Sequence, residues 1–122
     1  AIMKTRVVTR NDVAIAVIET DEVILYSPET ALSTFAKVRK ETGADRIVLP
    51  EAALSKDLFS MAAMYAFEAQ RMVGGLQVKI AVVGEFEGMP PNNLRQFNYE
   101  KNPDASLFIA DSEEQALERL SQ

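Results

Sequence analysis

Two carboxylates, Glu85 and Glu87, occupy the position in this chain that best suits binding of a small molecule. They follow residues 78–83, a nearly continuous apolar run that predicts a buried strand. Open α/β sheets bind ligands beyond the carboxyl ends of their strands, so residues 84–91, with Glu85, Phe86 and Glu87, form a candidate ligand loop. The loop lacks the lysine and hydroxyl pattern of a phosphate-binding loop, and a purely structural connection is the alternative.

Ser55 is the second candidate, because it lies at the start of a long predicted helix. A phosphate on this serine would be stabilised by the free amides and the dipole at the helix start. A serine in that position is also a common N-cap, whose hydroxyl accepts a backbone hydrogen bond. Ser55 is therefore either a phosphorylation site or a helix cap.

The chain contains neither histidine nor cysteine, which removes the commonest general bases, nucleophiles and metal ligands. The remaining bases would need strongly shifted pKa values, and no motif indicates such a site. Acidic loop residues without a recognised ligand spacing are normally solvated. We predict no catalytic residue, no metal site, no cofactor and no enzymatic activity.

The 122 residues fit a single domain over residues 1–122, with 48% hydrophobic residues and a net charge of -5. The negative charge disfavours nucleic acid and anionic membranes as partners. No apolar run is long enough to predict a membrane span or a secretory signal, so we expect a cytoplasmic protein. Ala1-Ile2 ahead of Met3 is expected to be a cloning remnant that precedes the native start.

Strand and helix signals alternate in the order β-β-α-β-α-β-α-β-α. This order predicts an α/β fold with a mixed sheet: an N-terminal antiparallel hairpin, three helix-strand units with parallel internal strands, and a C-terminal helix. The predicted elements are strands at residues 4–10, 13–20, 46–49, 78–83 and 106–110, and helices that begin at Ser27, near Ser55, at residue 94 and at Ser112.

The helix predicted over residues 57–73 is apolar on almost every side, which indicates contacts on two faces. One stripe at helical spacing is expected to face the sheet and contains Leu58, Ala62, Tyr65, Ala66, Ala69 and Val73. The second stripe is expected to meet a partner, a homodimer or another protein, and contains Phe59, Ala63, Met64, Phe67 and Arg71. The alternative is that neighbouring helices of the same domain cover this second stripe.

The element order resembles that of the STAS domains of bacterial anti-sigma-factor antagonists. The resemblance extends to residues 45–49, to the glycine pair before the fourth strand and to the acidic start of the last helix. A closer resemblance is to an uncharacterised bacterial family of small STAS-like domains, carried by residues 15–19, 41–49, 78–86 and 94–100. The resemblance implies a STAS-like regulatory or interaction domain. The alternative function is a small-ligand-binding or enzymatic α/β domain that uses the loop at residues 84–91. In STAS regulators the third strand is followed by a helix, and a serine just before that helix is phosphorylated. Ser55 corresponds to this serine, but the residues around it lack the Asp-Ser-Ser-Gly pattern of those regulators.

Overall fold

A computed structural model describes residues 3–86 and 94–122 of the chain. Its five strands form one mixed sheet in the order β1-β2-β3-β4-β5. The first two strands are an antiparallel hairpin, and the others add in parallel. The strands are β1 (Lys4–Arg10), β2 (Val13–Glu19), β3 (Arg46–Pro50), β4 (Lys79–Val83) and β5 (Leu107–Ala110). The predicted fold class, a hairpin followed by parallel strands joined through helices, is confirmed.

Four α-helices lie in the described ranges: α1 (Pro28–Thr42), α2 (Lys56–Met64), α3 (Ala66–Gly75) and α4 (Glu113–Leu120). Local caps lie at both ends of α1 and at the start of α4. The Ser27 hydroxyl accepts from the Thr30 N–H at the start of α1, and Gly43 ends that helix at φ 75°, a left-handed conformation that glycine adopts without strain. The Ser112 hydroxyl accepts from the Gln115 N–H at the start of α4.

The single helix predicted over residues 57–73 is wrong, because the chain breaks at Tyr65 into α2 and α3. Tyr65 has φ -115° and ψ 48°, although its N–H still donates to the Met61 carbonyl. No proline or glycine lies at this position. Each half buries a residue of its own against the core, Leu58 in α2 and Ala66 in α3.

The helix predicted over residues 94–101 is also wrong. Leu94 is helical, but Arg95–Phe97 form a 3₁₀ turn and the helix does not continue to residue 101. Asn98 leaves the helical region with ψ 118° and forms an isolated parallel bridge with Ile109. Its side-chain oxygen accepts from the Lys101 N–H, a local bond by which asparagine competes with helix formation.

The sheet has a core on each face. One core lies under α1, α2 and α3 and includes Ile47, Ile80 and Val82. The other lies under α4, whose buried residues Ala116, Leu117 and Leu120 pack with Ile15, Val17, Val48, Ala81 and Phe108. Both faces of the central strands are therefore buried, which explains their continuously apolar sequences.

Two arginines of the hairpin form ion pairs with the first turn of α4. Arg6 bonds Glu19 and, at 2.6 Å, Glu113. Arg10 makes a bidentate pair with Glu114, with one contact at 2.9 Å. The hydrogen bond from Arg10 lowers the pKa of the Glu114 carboxyl. These contacts connect the two ends of the described chain.

Candidate functional site

The outer surface of α2 and α3 carries most of the exposed large apolar side chains. Seven such side chains are exposed in residues 3–86 and 94–122, and five of these lie between Met61 and Met72. Isolated exposed apolar residues are normal on a protein surface, whereas a cluster on one element indicates a contact site. This cluster is the candidate functional site.

Met64 and Phe67 are its most exposed members, at 74% and 79% of their full surface. We call this pair the α2–α3 ridge. Arg71 lies one turn after Phe67, is exposed, and forms an ion pair with Glu68. Ala63 is half-buried beside Met64. Four of the five residues predicted for the second stripe thus lie at or beside this surface.

Phe59 is the exception, and the expectation that it is exposed is wrong. It is 8% exposed, and its ring stacks on Phe86 with centroids 4.7 Å apart. The Phe97 ring lies 5.9 Å away. For Phe59 the alternative applies: its own domain covers it, through residues that are distant in sequence. Phe59 therefore belongs to the core and offers little surface to a partner.

Three further apolar side chains at this surface were not predicted: Met61, Tyr65 and Met72. Tyr65 was expected to face the sheet, and this is wrong, since it is 58% exposed. The signal that would have identified them is a third stripe at helical spacing, in which Met61, Tyr65, Glu68 and Met72 follow one another by four, three and four positions.

These three side chains line an apolar groove of about 420 Å³ between α1 and the α2–α3 pair. Sheet residues Leu49 and Val82 form part of its lining. The groove is lined by Pro28, Ala31, Leu32, Phe35, Leu49, Leu54, Leu58, Phe59, Met61, Ala62, Tyr65, Glu68, Ala69, Met72, Val73, Val82 and Leu107. Glu68 is the one ionisable acid among them.

The Ser55 hydroxyl acts as a helix cap in this structure. It accepts from the Leu58 N–H at 3.0 Å, and Ser55 is half-buried. The cap interpretation thus accounts for the residue. Phosphorylation of Ser55 stays a prediction.

The candidate ligand loop is described only at its start. Glu85 is exposed, but Phe86 is buried against Phe59, and Glu87 lies outside the described residues. The Phe86 N–H donates to a Glu51 carboxylate oxygen at 3.3 Å, and its φ of 54° is left-handed. A Cβ atom on Gly84 would lie 2.6 Å from Glu51 Cβ, so only glycine fits there without displacing Glu51. The start of the loop is therefore fixed by packing against the turn after β3.

Within residues 3–86 and 94–122, no group of three or more acidic side chains is arranged to hold a metal ion. No helix in this part of the chain is long and apolar enough to cross a membrane.

A family profile described as a domain of unknown function, DUF4180, matches residues 10–120. The match covers nearly the whole chain, and the protein belongs to this family. Comparison with curated proteins and with solved structures gives no match.

Proposed function

We propose that this member of the DUF4180 family is a non-enzymatic, STAS-like interaction module that forms a homodimer through the α2–α3 ridge. The observation that carries the proposal is the exposure of Met64 and Phe67 on a surface where Met61, Tyr65 and Met72 are also exposed. Leaving these side chains in water forgoes the free energy of their burial, and a partner would recover it.

The size of the cluster supports a protein partner. With roughly 200 Å² for each large side chain, the exposed fractions correspond to about 600 Å² of apolar surface. A stable protein interface buries about 800 Å² on each partner. The apolar patch would supply most of this area, and a polar rim would supply the rest. Arg71 and Glu68 flank the cluster and provide such a rim.

A second copy of the chain is the partner we propose, because two identical patches close around a two-fold axis. In that arrangement the dimer buries two copies of Phe67, one from each chain, so one substitution removes two contacts. Methionine side chains adapt to the shape of the facing surface, which suits a patch that must complement itself.

The STAS-like and regulatory parts of the proposal rest on the element order and on the resemblance described above. Ser55 would be the regulatory residue, and a phosphate there would replace the hydroxyl cap of α2. Because α2 carries Met64 at its end, a change at its first turn would be transmitted to the ridge through one short helix.

Light scattering of the purified protein over a range of concentrations tests the proposal. We expect a dimer for the wild type, and monomers for Met64→Glu and Phe67→Glu. Val7→Glu is the matched control, because Val7 is an exposed apolar residue on β1, away from the ridge. A wild type that stays monomeric at high concentration, or folded ridge variants with unchanged mass, would show that the proposal is wrong.

A further inference from the structure

The α2–α3 ridge alone is too small for a stable interface. Met64 and Phe67 are 74% and 79% exposed, which corresponds to about 300 Å² of apolar surface at roughly 200 Å² for each full side chain. A stable interface buries about 800 Å² on each partner. A homodimer therefore has to bury neighbouring surface as well as the ridge.

The apolar groove between α1 and the α2–α3 pair is that neighbouring surface. It continues from the ridge, because Met61 in its wall lies one helical turn before Met64. Its far wall comes from α1, through Leu32 and Phe35. Since nearly all of its lining is apolar, an apolar side chain of a partner would be stabilised there by burial.

The same surface carries both a depression and projecting side chains. Leu49 and Val82 of the sheet line the groove, while Met61, Tyr65 and Met72 are exposed along it. Two identical surfaces of this kind interlock around a two-fold axis, because what projects from each copy enters the depression of the other. This self-complementarity favours a second copy of the chain over an unrelated partner.

Met64 is the side chain that best suits the groove of the partner. It is the last residue of α2, and its unbranched thioether adapts to an irregular cavity. Phe67 is less suited, because it lines a separate, polar depression together with Gln70 and Asn102. Phe67 then lies at the edge of the contact.

We propose that in the homodimer the Met64 side chain of each copy occupies the groove of the other, so that α1 forms the far side of the interface. This inference rests on the homodimer proposed above and adds α1 and the groove to it. The sequence placed the contact within residues 57–73 alone.

Disulfide cross-linking tests this arrangement, because the chain has no cysteine of its own. Leu32→Cys and a mass-tagged Met64→Cys protein are mixed at a concentration at which light scattering shows dimers, left to exchange subunits and oxidised with copper phenanthroline. We expect a covalent dimer with one chain of each variant, since Leu32 lines the groove that receives Met64. Val7→Cys in place of Leu32→Cys is the control and is expected to give no cross-link, because Val7 lies on β1.

The cross-links separate this proposal from the homodimer itself. A covalent dimer of Met64→Cys with itself would place the two Met64 side chains face to face, which would overturn the groove arrangement while the homodimer stands. Absence of any cross-link between dimeric variants would overturn the arrangement as well. A wild type that stays monomeric would remove the homodimer and this inference together.

Substitutions on α1 give a second test. Leu32→Glu places a charge in the wall of the groove, and we expect it to raise the dimer dissociation constant about tenfold or more in a light-scattering dilution series. Ala36→Glu is the matched control, because Ala36 is an exposed residue of the same helix outside the groove, and it is expected to leave the constant unchanged. A constant for Leu32→Glu equal to that of the wild type would overturn the proposal. If circular dichroism shows that Leu32→Glu is unfolded, the cross-link decides alone.

Discussion

Phe59 and Phe67 provide a direct test of how the helix pair is oriented, because they share one residue type and differ in burial. They lie about two helical turns apart, yet Phe59 is 8% exposed and Phe67 is 79% exposed. Replacing a buried phenylalanine by alanine costs about 3–5 kcal/mol of unfolding free energy, from lost burial and from the cavity left behind. Phe59→Ala should therefore cost about 3 kcal/mol or more, whereas Phe67→Ala should change the free energy by less than about 0.5 kcal/mol.

The measurement is urea unfolding followed by far-UV circular dichroism. Both substitutions are best made in a Met64→Glu background, so that association does not contribute to the free energy of unfolding. A domain of this size has an unfolding free energy of about 5–15 kcal/mol. Phe59→Ala is therefore expected to show either a lowered urea midpoint or, if it does not fold, the circular dichroism of an unfolded chain. Similar costs for the two substitutions would refute the described orientation of α2.

The ring contact between Phe59 and Phe86 adds a second, finer test. Their centroids are 4.7 Å apart in a stacked arrangement, and such aromatic pairs contribute about 1 kcal/mol beyond burial. A double-mutant cycle with Phe59→Leu and Phe86→Leu is expected to yield a coupling energy of that size. Additive effects would show that the two rings are not in contact.

Three further predictions concern single contacts. Ser55→Ala is expected to lower the free energy of unfolding by about 1 kcal/mol in thermal or urea unfolding, because it removes the cap of α2. Ser55→Asp keeps an acceptor and should lower it much less, so equal effects of the two substitutions would argue against the cap. The Gln70 side-chain amide accepts from the Leu107 N–H at 2.8 Å and donates to the Leu107 carbonyl at 2.6 Å. Gln70→Leu should therefore lower the free energy of unfolding by about 2 kcal/mol and speed amide exchange at Leu107. Gln70→Glu keeps only the acceptor, and its stability should lie between those of Gln70→Leu and the wild type. Arg10 lowers the pKa of Glu114 in the folded state, so this pair stabilises the fold above the unfolded pKa, and the stabilisation is lost as the pH falls through the folded pKa. In urea unfolding, Glu114→Gln should therefore be less stable than the wild type at neutral pH and should lose less stability on acidification. A loss of stability on acidification equal to that of the wild type would contradict the pairing.

Local signals in the sequence were sufficient for most of the fold. The antiparallel hairpin of β1 and β2 and the start of α1 at Ser27 depend on short-range features, and each lies where the sequence predicts it. The nearly continuous apolar run at residues 78–83 predicted a buried strand, and β4 contributes Ile80 and Val82 to one core and Ala81 to the other.

Features that depend on distant residues were not predictable. The break at Tyr65 has no breaker residue, because alanine, methionine and tyrosine are all compatible with a continuous helix. The burial of Phe59 depends on Phe86 and Phe97, which come from later segments. Helical spacing alone could not tell which of two apolar stripes meets the core, so Phe59 and Tyr65 were assigned to the wrong sides.

The cover provided by α4 has a consequence for how the chain folds. In the described residues α4 is the one helix over the core of Ile15, Val17 and Phe108, and it follows all five described strands in sequence. During synthesis the sheet therefore exposes this apolar face to solvent until α4 has left the ribosome. A nascent or truncated polypeptide that lacks α4 should bind chaperones or aggregate, even though it already contains all five described strands.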